Sequence, residues 1–156
     1  MADRPVKTWL SKVYYNAGGA GSAATYTEIP QAKSIAMTAP READDATTKG
    51  AGAYKQYDPG QFDISLSFSI LSLKDSDTGA INTIEAALRA VYSARTTLGW
   101  AVKDGSISTT GTAGWEFDGF VAEYNEQKPD DTGNVMIDIV VKPAYSATAP
   151  AWRVES

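Results

Sequence analysis

Hydrophobic and polar positions alternate most cleanly between Phe62 and Ile70, where Phe62, Ile64, Leu66, Phe68 and Ile70 are interleaved with Asp63, Ser65, Ser67 and Ser69. Side chains of a strand point alternately to opposite faces, so this segment predicts a strand with one apolar face and one small, polar face. A helix would scatter the same five apolar residues around its circumference. The segment Asn134 to Lys142 repeats the pattern, with Val135, Ile137, Ile139 and Val141 opposed to Met136, Asp138, Val140 and Lys142, and it predicts a central strand. Further strands are expected over Thr8 to Tyr15, Ala32 to Thr38, Trp100 to Lys103 and Gly114 to Tyr124, from their aromatic and β-branched residues.

Between Asp77 and Leu98 the period changes. Ile81, Ile84, Leu88, Val91 and Tyr92 recur at spacings of three and four, and Ala80, Ala86, Ala87, Ala90 and Ala94 favour helix. One amphipathic helix is predicted over about 77–98. Asp75, Ser76 and Asp77 are positioned to cap its first N–H groups, Arg95 suits its last turn, and Gly99 stands where a C-terminal cap belongs.

The stretch from Arg41 to Gly60 carries little hydrophobic periodicity and many Asp, Thr and Gly residues. It reads as a long loop, of a length that is unusual inside a compact domain unless it is used for contact. Asp44, Asp45, Thr47, Thr48, Lys49, Tyr54 and Tyr57 are its candidate contact residues; a bare hairpin excursion is the plainer alternative. The segment from Ala144 to Ser156 is weakly patterned, with Tyr145 and Trp152 as apolar anchors. The whole fits a single mainly β domain, of α+β type, over residues 1–156.

Composition narrows the chemistry. There is no Cys, which removes disulfides, thiolate metal sites and cysteine nucleophiles, and no His, the commonest general base and zinc ligand. The pairs Asp44–Asp45 and Asp130–Asp131 lie in turn-rich segments where Asp serves local hydrogen bonding. Asp75, Asp77 and Gly79 superficially match a calcium loop, but the positions that require Gly and Glu hold Ala80 and Ala86. Gly18, Gly19 and Gly21 lack the Lys-Ser/Thr pair of a phosphate loop. No cofactor, metal or catalytic group is expected, and the chain reads as non-enzymatic. A net charge of −5 disfavours a sequence-independent grip on nucleic acid. The N-terminus lacks the apolar core of a signal peptide, and no stretch approaches the roughly 20 apolar residues of a membrane span.

Taken together, the segments Tyr26 to Pro30, Asp45 to Thr48, Gly114 to Ala122 and Val135 to Pro143 make the chain similar to the tail tube proteins (major tail proteins) of long-tailed non-contractile bacteriophages or related tail-like particles. The resemblance implies a β-sandwich or rolled antiparallel sheet flanked by one α-helix, with a long loop and extended terminal arms. It also implies homo-oligomeric, hexameric rings stacked into a hollow tube within the virion, made in the host bacterial cytoplasm, with the Arg41 to Gly60 loop and its candidate contact residues, the first few residues and the tail after Pro143 bridging to adjacent subunits and rings. Its partners would be a tape measure protein, tail-end proteins and double-stranded DNA that passes through without specific binding. Asp63, Glu116, Asp118 and Asp138 are the candidate lumen-facing acids, since a lining of the same sign as DNA lets a duplex slide. The competing reading is a carbohydrate-binding sandwich that uses Trp9, Trp100 or Trp115 as stacking platforms.

Overall fold

A computed structural model describes residues 11–20, 26–48, 52, 55–74, 77–128 and 133–156. In chain order the elements are β1 (Lys12–Asn16), β2 (Thr27–Glu28), β3 (Ala32–Thr38), β4 (Arg41–Asp45), β5 (Tyr57–Phe62), β6 (Ser65–Leu71), α1 (Thr83–Ala94), β7 (Leu98–Lys103), β8 (Ala113–Gln127), β9 (Met136–Pro143) and β10 (Ala151–Val154). Eight strands form one antiparallel sheet in the order β2-β1-β7-β8-β9-β6-β3, with β10 paired to the first residues of β8 beside the end of β9. β4 and β5 make a separate two-stranded ribbon.

The alternation in β6 and β9 sets the register between them. Leu66 faces Val141, Phe68 faces Ile139 and Ile70 faces Ile137, and all six are buried. A one-residue slip would turn every one of them to the opposite face, so the register is strongly specified. Phe62 falls outside this strand: it ends β5, and Asp63 and Ile64 turn the chain into β6.

The sheet is rolled. Phe68 in β6 and Trp100 in β7 lie three strand spacings apart in the sheet order, about 14 Å if it were flat, yet their ring centroids are 6.2 Å apart. Rolling wraps the apolar face around a core that includes Val13, Phe68, Trp100, Phe117 and Ile139. At the open side of the roll the main chain is stitched by Ile29 N–H donating to Val13 O at 2.9 Å and Ala32 N–H to Ile29 O at 3.2 Å. Of the two architectures implied by the resemblance, the described residues thus form the single rolled sheet.

Helix α1 lies on this core through fully buried Leu88, with Ile84 and Val91 beside it. It is shorter than the periodicity predicts. Asn82 caps it, its side chain accepting from Ile84 N–H at 2.9 Å, while Ile81 is still held in a bridge to Lys74 and Gly79 has φ +67°. Of the predicted caps, Asp77 precedes the helix, and Asp75 and Ser76 lie outside the described residues. At the other end Arg95 takes the left-handed conformation, φ +56°, and Thr96 N–H reaches Val91 O at 3.1 Å. Gly99 is no cap. It sits in β7, where a Cβ would come within 2.4 Å of the Gly19 carbonyl carbon, so only glycine lets the two backbones meet.

The predicted loop over 41–60 contains β4 and the first residues of β5, paired as a ribbon with Asp44 opposite Asp58 and Asp45 opposite Tyr57. All five residues of β4 are exposed, which is why no hydrophobic alternation marks it. Strands β2 and β10 also escaped the pattern; β3 has the expected bounds, Ala32–Thr38, and the remaining strands differ from expectation at their ends. Thr8, Trp9 and Leu10 lie outside the described residues.

Candidate functional site

The second face of the rolled sheet is the surface whose chemistry the sequence singles out, and it divides into two unlike halves. Over β6 and β9 it carries Ser65, Ser67, Ser69, Asp138 and Val140, all half-buried. Ser69 stands opposite Asp138 and donates its hydroxyl to Asp138 Oδ1 at 2.5 Å, while Gln127 Nε2 donates to Oδ2. Two fixed donors hold this carboxylate in place along the polar face. Asp63, at the ribbon's root, has its side chain 62% exposed with Lys142 Nζ 3.6 Å away.

Over β7, β8 and β10 the same face is covered. Glu116 and Asp118 alternate with core residue Phe117, so they point to the second face, but both are buried. Lys103, also buried, places its ammonium 2.9 Å from Glu116 and 2.9 Å from Glu155, within 3.4 Å of the Arg153 carbonyl. Arg153 Nε lies 3.4 Å from the second Glu116 oxygen. Opposite Lys103 in the ladder stands Gly114, where a Cβ would come 1.8 Å from the Val102 carbonyl oxygen. These charges fasten the last strand to the sheet, together with Gly111 N–H to Glu155 O and Glu155 N–H to Thr112 O, each 2.8 Å.

Asp118 performs a similar task one turn of the ladder away. Its carboxylate accepts from Ala20 N–H at 2.6 Å and from the Ser146 hydroxyl, and its carbonyl accepts from Ala144 N–H at 2.9 Å. It therefore ties the end of the β1 turn to the start of the C-terminal segment. Of the four acids proposed from sequence, Asp63 and Asp138 lie on accessible surface, whereas Glu116 and Asp118 are engaged inside the subunit. Lys103, Arg153 and Glu155 were missed; the only signal was a lysine closing an otherwise apolar strand.

The candidate contact residues are spread along the ribbon. Asp44, Asp45, Thr47, Thr48 and Tyr57 are placed there, while Lys49 and Tyr54 lie outside the described residues. Tyr57 is 54% exposed. Thr47 closes the base of the tip, its Oγ1 accepting from Gln56 N–H at 3.1 Å, and Asp45 Oδ1 accepts from Thr47 N–H at 2.9 Å. Those bonds from Thr47, side chain first, hold the Asp45 carboxyl below its ordinary pKa. Neither β4 nor β5 packs against any other element among the described residues.

On the helix side, Arg89 joins Glu85 at 3.1 Å and Glu126 at 3.0 Å, and Tyr92 stacks on Tyr124 with centroids 5.7 Å apart. Burial pushes the Tyr124 hydroxyl pKa up, while the nearby Arg89 charge pulls it back. Beyond this stack a cleft of about 570 Å³ opens between the helix end and β8, lined by Tyr92, Arg95, Thr97, Phe120 and Ala122 among others. Arg95 is exposed and forms no ion pair among the described residues.

Among the described residues, neither Trp100 nor Trp115 presents an open ring face of the predicted kind. Trp100 is 0% exposed and donates its Nε1–H to Gly119 O at 3.3 Å. Trp115 is half-buried and edge-on to Trp152, centroids 6.0 Å apart, and Trp9 lies outside the described residues. Among the described residues no group of three or more Asp or Glu side chains is arranged to hold a metal ion, and no helix is long and apolar enough to cross a membrane.

No family model matches the chain, and no curated protein does either. Solved structures do. A chain of the SPP1 tail tube, determined by solid-state NMR and cryo-EM, superposes with a TM-score of 0.71 at 10% identity, covering 97% of this chain and 80% of that one. A chain in the tail of the empty gene transfer agent particle, refined with C6 symmetry, gives 0.68 at 15% identity over 94% of this chain and 98% of its own. A chain of the six-fold symmetrised anti-feeding prophage baseplate gives 0.65 at 8% identity, covering 97% of each. Over nearly its whole length, the chain therefore has the fold found in the SPP1 tail tube and in the tail of the gene transfer agent particle.

Proposed function

We propose that this protein is a non-enzymatic structural subunit that assembles with copies of itself into stacked hexameric rings, forming the hollow tail tube of a virion or related tail-like particle. The observation that carries the reading is the near full-length likeness to tail tube and tail chains. A rolled sheet with an accessible small-polar strip, and a ribbon whose strands pack on no other element among the described residues, suit a subunit completed by its neighbours. Joining sheets between subunits also covers the edges at β2 and β3, at which the sheet ends among the described residues and which are otherwise liabilities for uncontrolled pairing.

In the tube, the Ser65–Ser69 strip with Asp138 and Asp63 contributes to a lumen of the same sign as DNA, so that a duplex passes without counterion-driven retention. A tape measure protein inside the growing tube and tail-end proteins at its termini complete the set of partners, and synthesis takes place in the host bacterial cytoplasm. Negative-stain electron microscopy of the concentrated purified protein tests the assembly: rings or tubes with an open channel are expected, and a persistent monomer refutes it. The lumen assignment is tested on tubes of Asp63→Lys/Asp138→Lys, which are expected to form normally but to retain duplex DNA at low salt. Equal recovery of free DNA from both kinds of tube would remove these acids from the lumen.

A further inference from the structure

Arg95 ends α1 in the left-handed conformation, φ +56°, a place that glycine fills without steric cost. Its guanidinium forms no ion pair among the described residues. A strained position that keeps a long cationic side chain points to a use for the cation. That side chain lines the cleft of about 570 Å³ between the helix end and β8, a volume inside the range of about 300–1,000 Å³ typical of ligand sites.

The cleft has a braced aromatic wall. Glu85 and Glu126 hold Arg89 at 3.1 and 3.0 Å, and Arg89 lies over the Tyr124 ring, 6.0 Å from its centroid. Tyr124 in turn stacks on Tyr92, with centroids 5.7 Å apart and ring planes at 23°. Tyr92 is thus supported from one side and still 41% exposed. Phe120, 39% exposed, adds a second ring to the lining, and Ser93 and Thr97 add hydroxyls. Ala122, also in the lining, is the extra residue of the β8–β9 bulge, and β7 stops pairing with β8 at Gly119, so Ala122 takes part in neither register.

These groups select a chemical class. The electron-rich face of an aromatic ring attracts the C–H-lined face of a sugar. Hydroxyl and peptide groups around it match a polyhydroxylated ligand. A lone guanidinium matches one carboxylate, which it can hold through two parallel hydrogen bonds. Phosphate is the poorer match, because it carries more charge and because the helix end at this cleft is the C-terminal, negative one, the reverse of the N-termini that bind phosphate.

We infer that the cleft binds an acidic saccharide, with one carboxylate per ring as in uronic or sialic acids, the sugar lying on Tyr92 and Phe120 and its carboxylate on Arg95. Trp9, Trp100 and Trp115, the candidate platforms of the sequence, are not part of this site. The site is complete within one copy of the chain, so it stands or falls separately from self-assembly.

Titration of the purified protein with galacturonate trisaccharide and with sialyllactose, followed by amide NMR, tests it. Saturable shifts at Tyr92, Arg95 and Ala122 are expected with at least one of the two, with Kd on the order of 1 mM or tighter. The methyl-esterified trisaccharide and lactose, which lack the carboxylate, should bind about tenfold more weakly or worse. Arg95→Asn keeps a residue that tolerates the left-handed conformation; it should lose about tenfold in affinity for the acid and little for the neutral sugar. Tyr92→Ala and Phe120→Ala should each weaken both, and circular dichroism establishes that every variant is folded. The inference is overturned if neither acidic saccharide gives a saturable shift, if the neutral counterparts bind equally well, or if folded Arg95→Asn binds the acid unchanged. Tighter binding of a Glu-rich peptide or of inorganic phosphate at the same residues also overturns it, making the cleft a peptide groove or a phosphate site.

Discussion

Replacing Lys103 by Met removes the one cation at the centre of the buried charge cluster while keeping the length of the side chain. The lysine side chain is 0% exposed, and its ammonium contacts two carboxylates, Glu116 and Glu155, each at 2.9 Å. Glu116 is itself only 6% exposed, and after the change it keeps a single cation, Arg153 at 3.4 Å. Orphaning one partner of a buried ion pair costs about 3–5 kcal/mol. Against a total stability of roughly 5–15 kcal/mol, that is a large fraction, and for a domain of this size it lowers Tm by roughly 6–20 °C. Urea unfolding at neutral pH, followed by circular dichroism, measures the loss. Because the cluster fastens β10, limited trypsin digestion should also cut at Arg153 earlier in Lys103→Met than in the unmodified protein. Removing the charges together, as in Lys103→Met/Glu116→Leu/Glu155→Leu, should recover part of the stability, since no carboxylate of the cluster is then left unpaired. A loss below about 1 kcal/mol for Lys103→Met, the range of exposed ion pairs, would refute the claim that the cluster is an enclosed latch.

Other expectations follow from local geometry. Gly99→Ala forces a Cβ against the Gly19–Ala20 backbone at 2.4–2.5 Å, and chemical denaturation should register a loss of about 1–3 kcal/mol. Arg95→Gly relieves a left-handed residue at the helix end; with the strain of roughly 1–2 kcal/mol partly offset by the backbone entropy of glycine, a gain of about 0.5–1 kcal/mol is expected in the same assay. The folded-state pKa of Asp45 is depressed by Thr47, so its contribution to the ribbon is present above the ordinary aspartate value and is lost as pH falls through the lower, folded one. A carboxyl carbon NMR titration should place the Asp45 midpoint below that of a model aspartate, and Thr47→Ala should move it back up.

The elements legible in the sequence were those whose burial is one-sided. β6 and β9 alternate because one face lies in the core, and α1 shows its period because Ile84, Leu88 and Val91 form an apolar stripe against that core. Where neither face is buried within the subunit, as in β4, no periodicity exists to be read, and residues 41–60 passed for a loop although both ends of the stretch pair as a ribbon. The helix starts later than its spacing predicts for a related reason: Ile81 satisfies the helical spacing, but its backbone is engaged with Lys74. Propensity could not distinguish those uses.

The candidate acids make the same point more sharply. Alternation fixes that Glu116, Asp118 and Asp138 leave the core face, and this much is settled by the chain's own pattern of side chains, because a strand has only two sides. Whether such a side is then open or covered depends on segments distant in sequence: the C-terminal strand carrying Arg153 and Glu155, and the turn at Gly19 and Ala20, close over Glu116 and Asp118 but leave Asp138 on the accessible strip. Local composition thus determined a mainly β chain with one amphipathic helix and a sheet of two unlike faces. The roll of the sheet, the latch around Lys103 and the cleft beside Arg95 were decided only by the tertiary structure, since each arises where residues far apart along the chain are brought within a few ångströms.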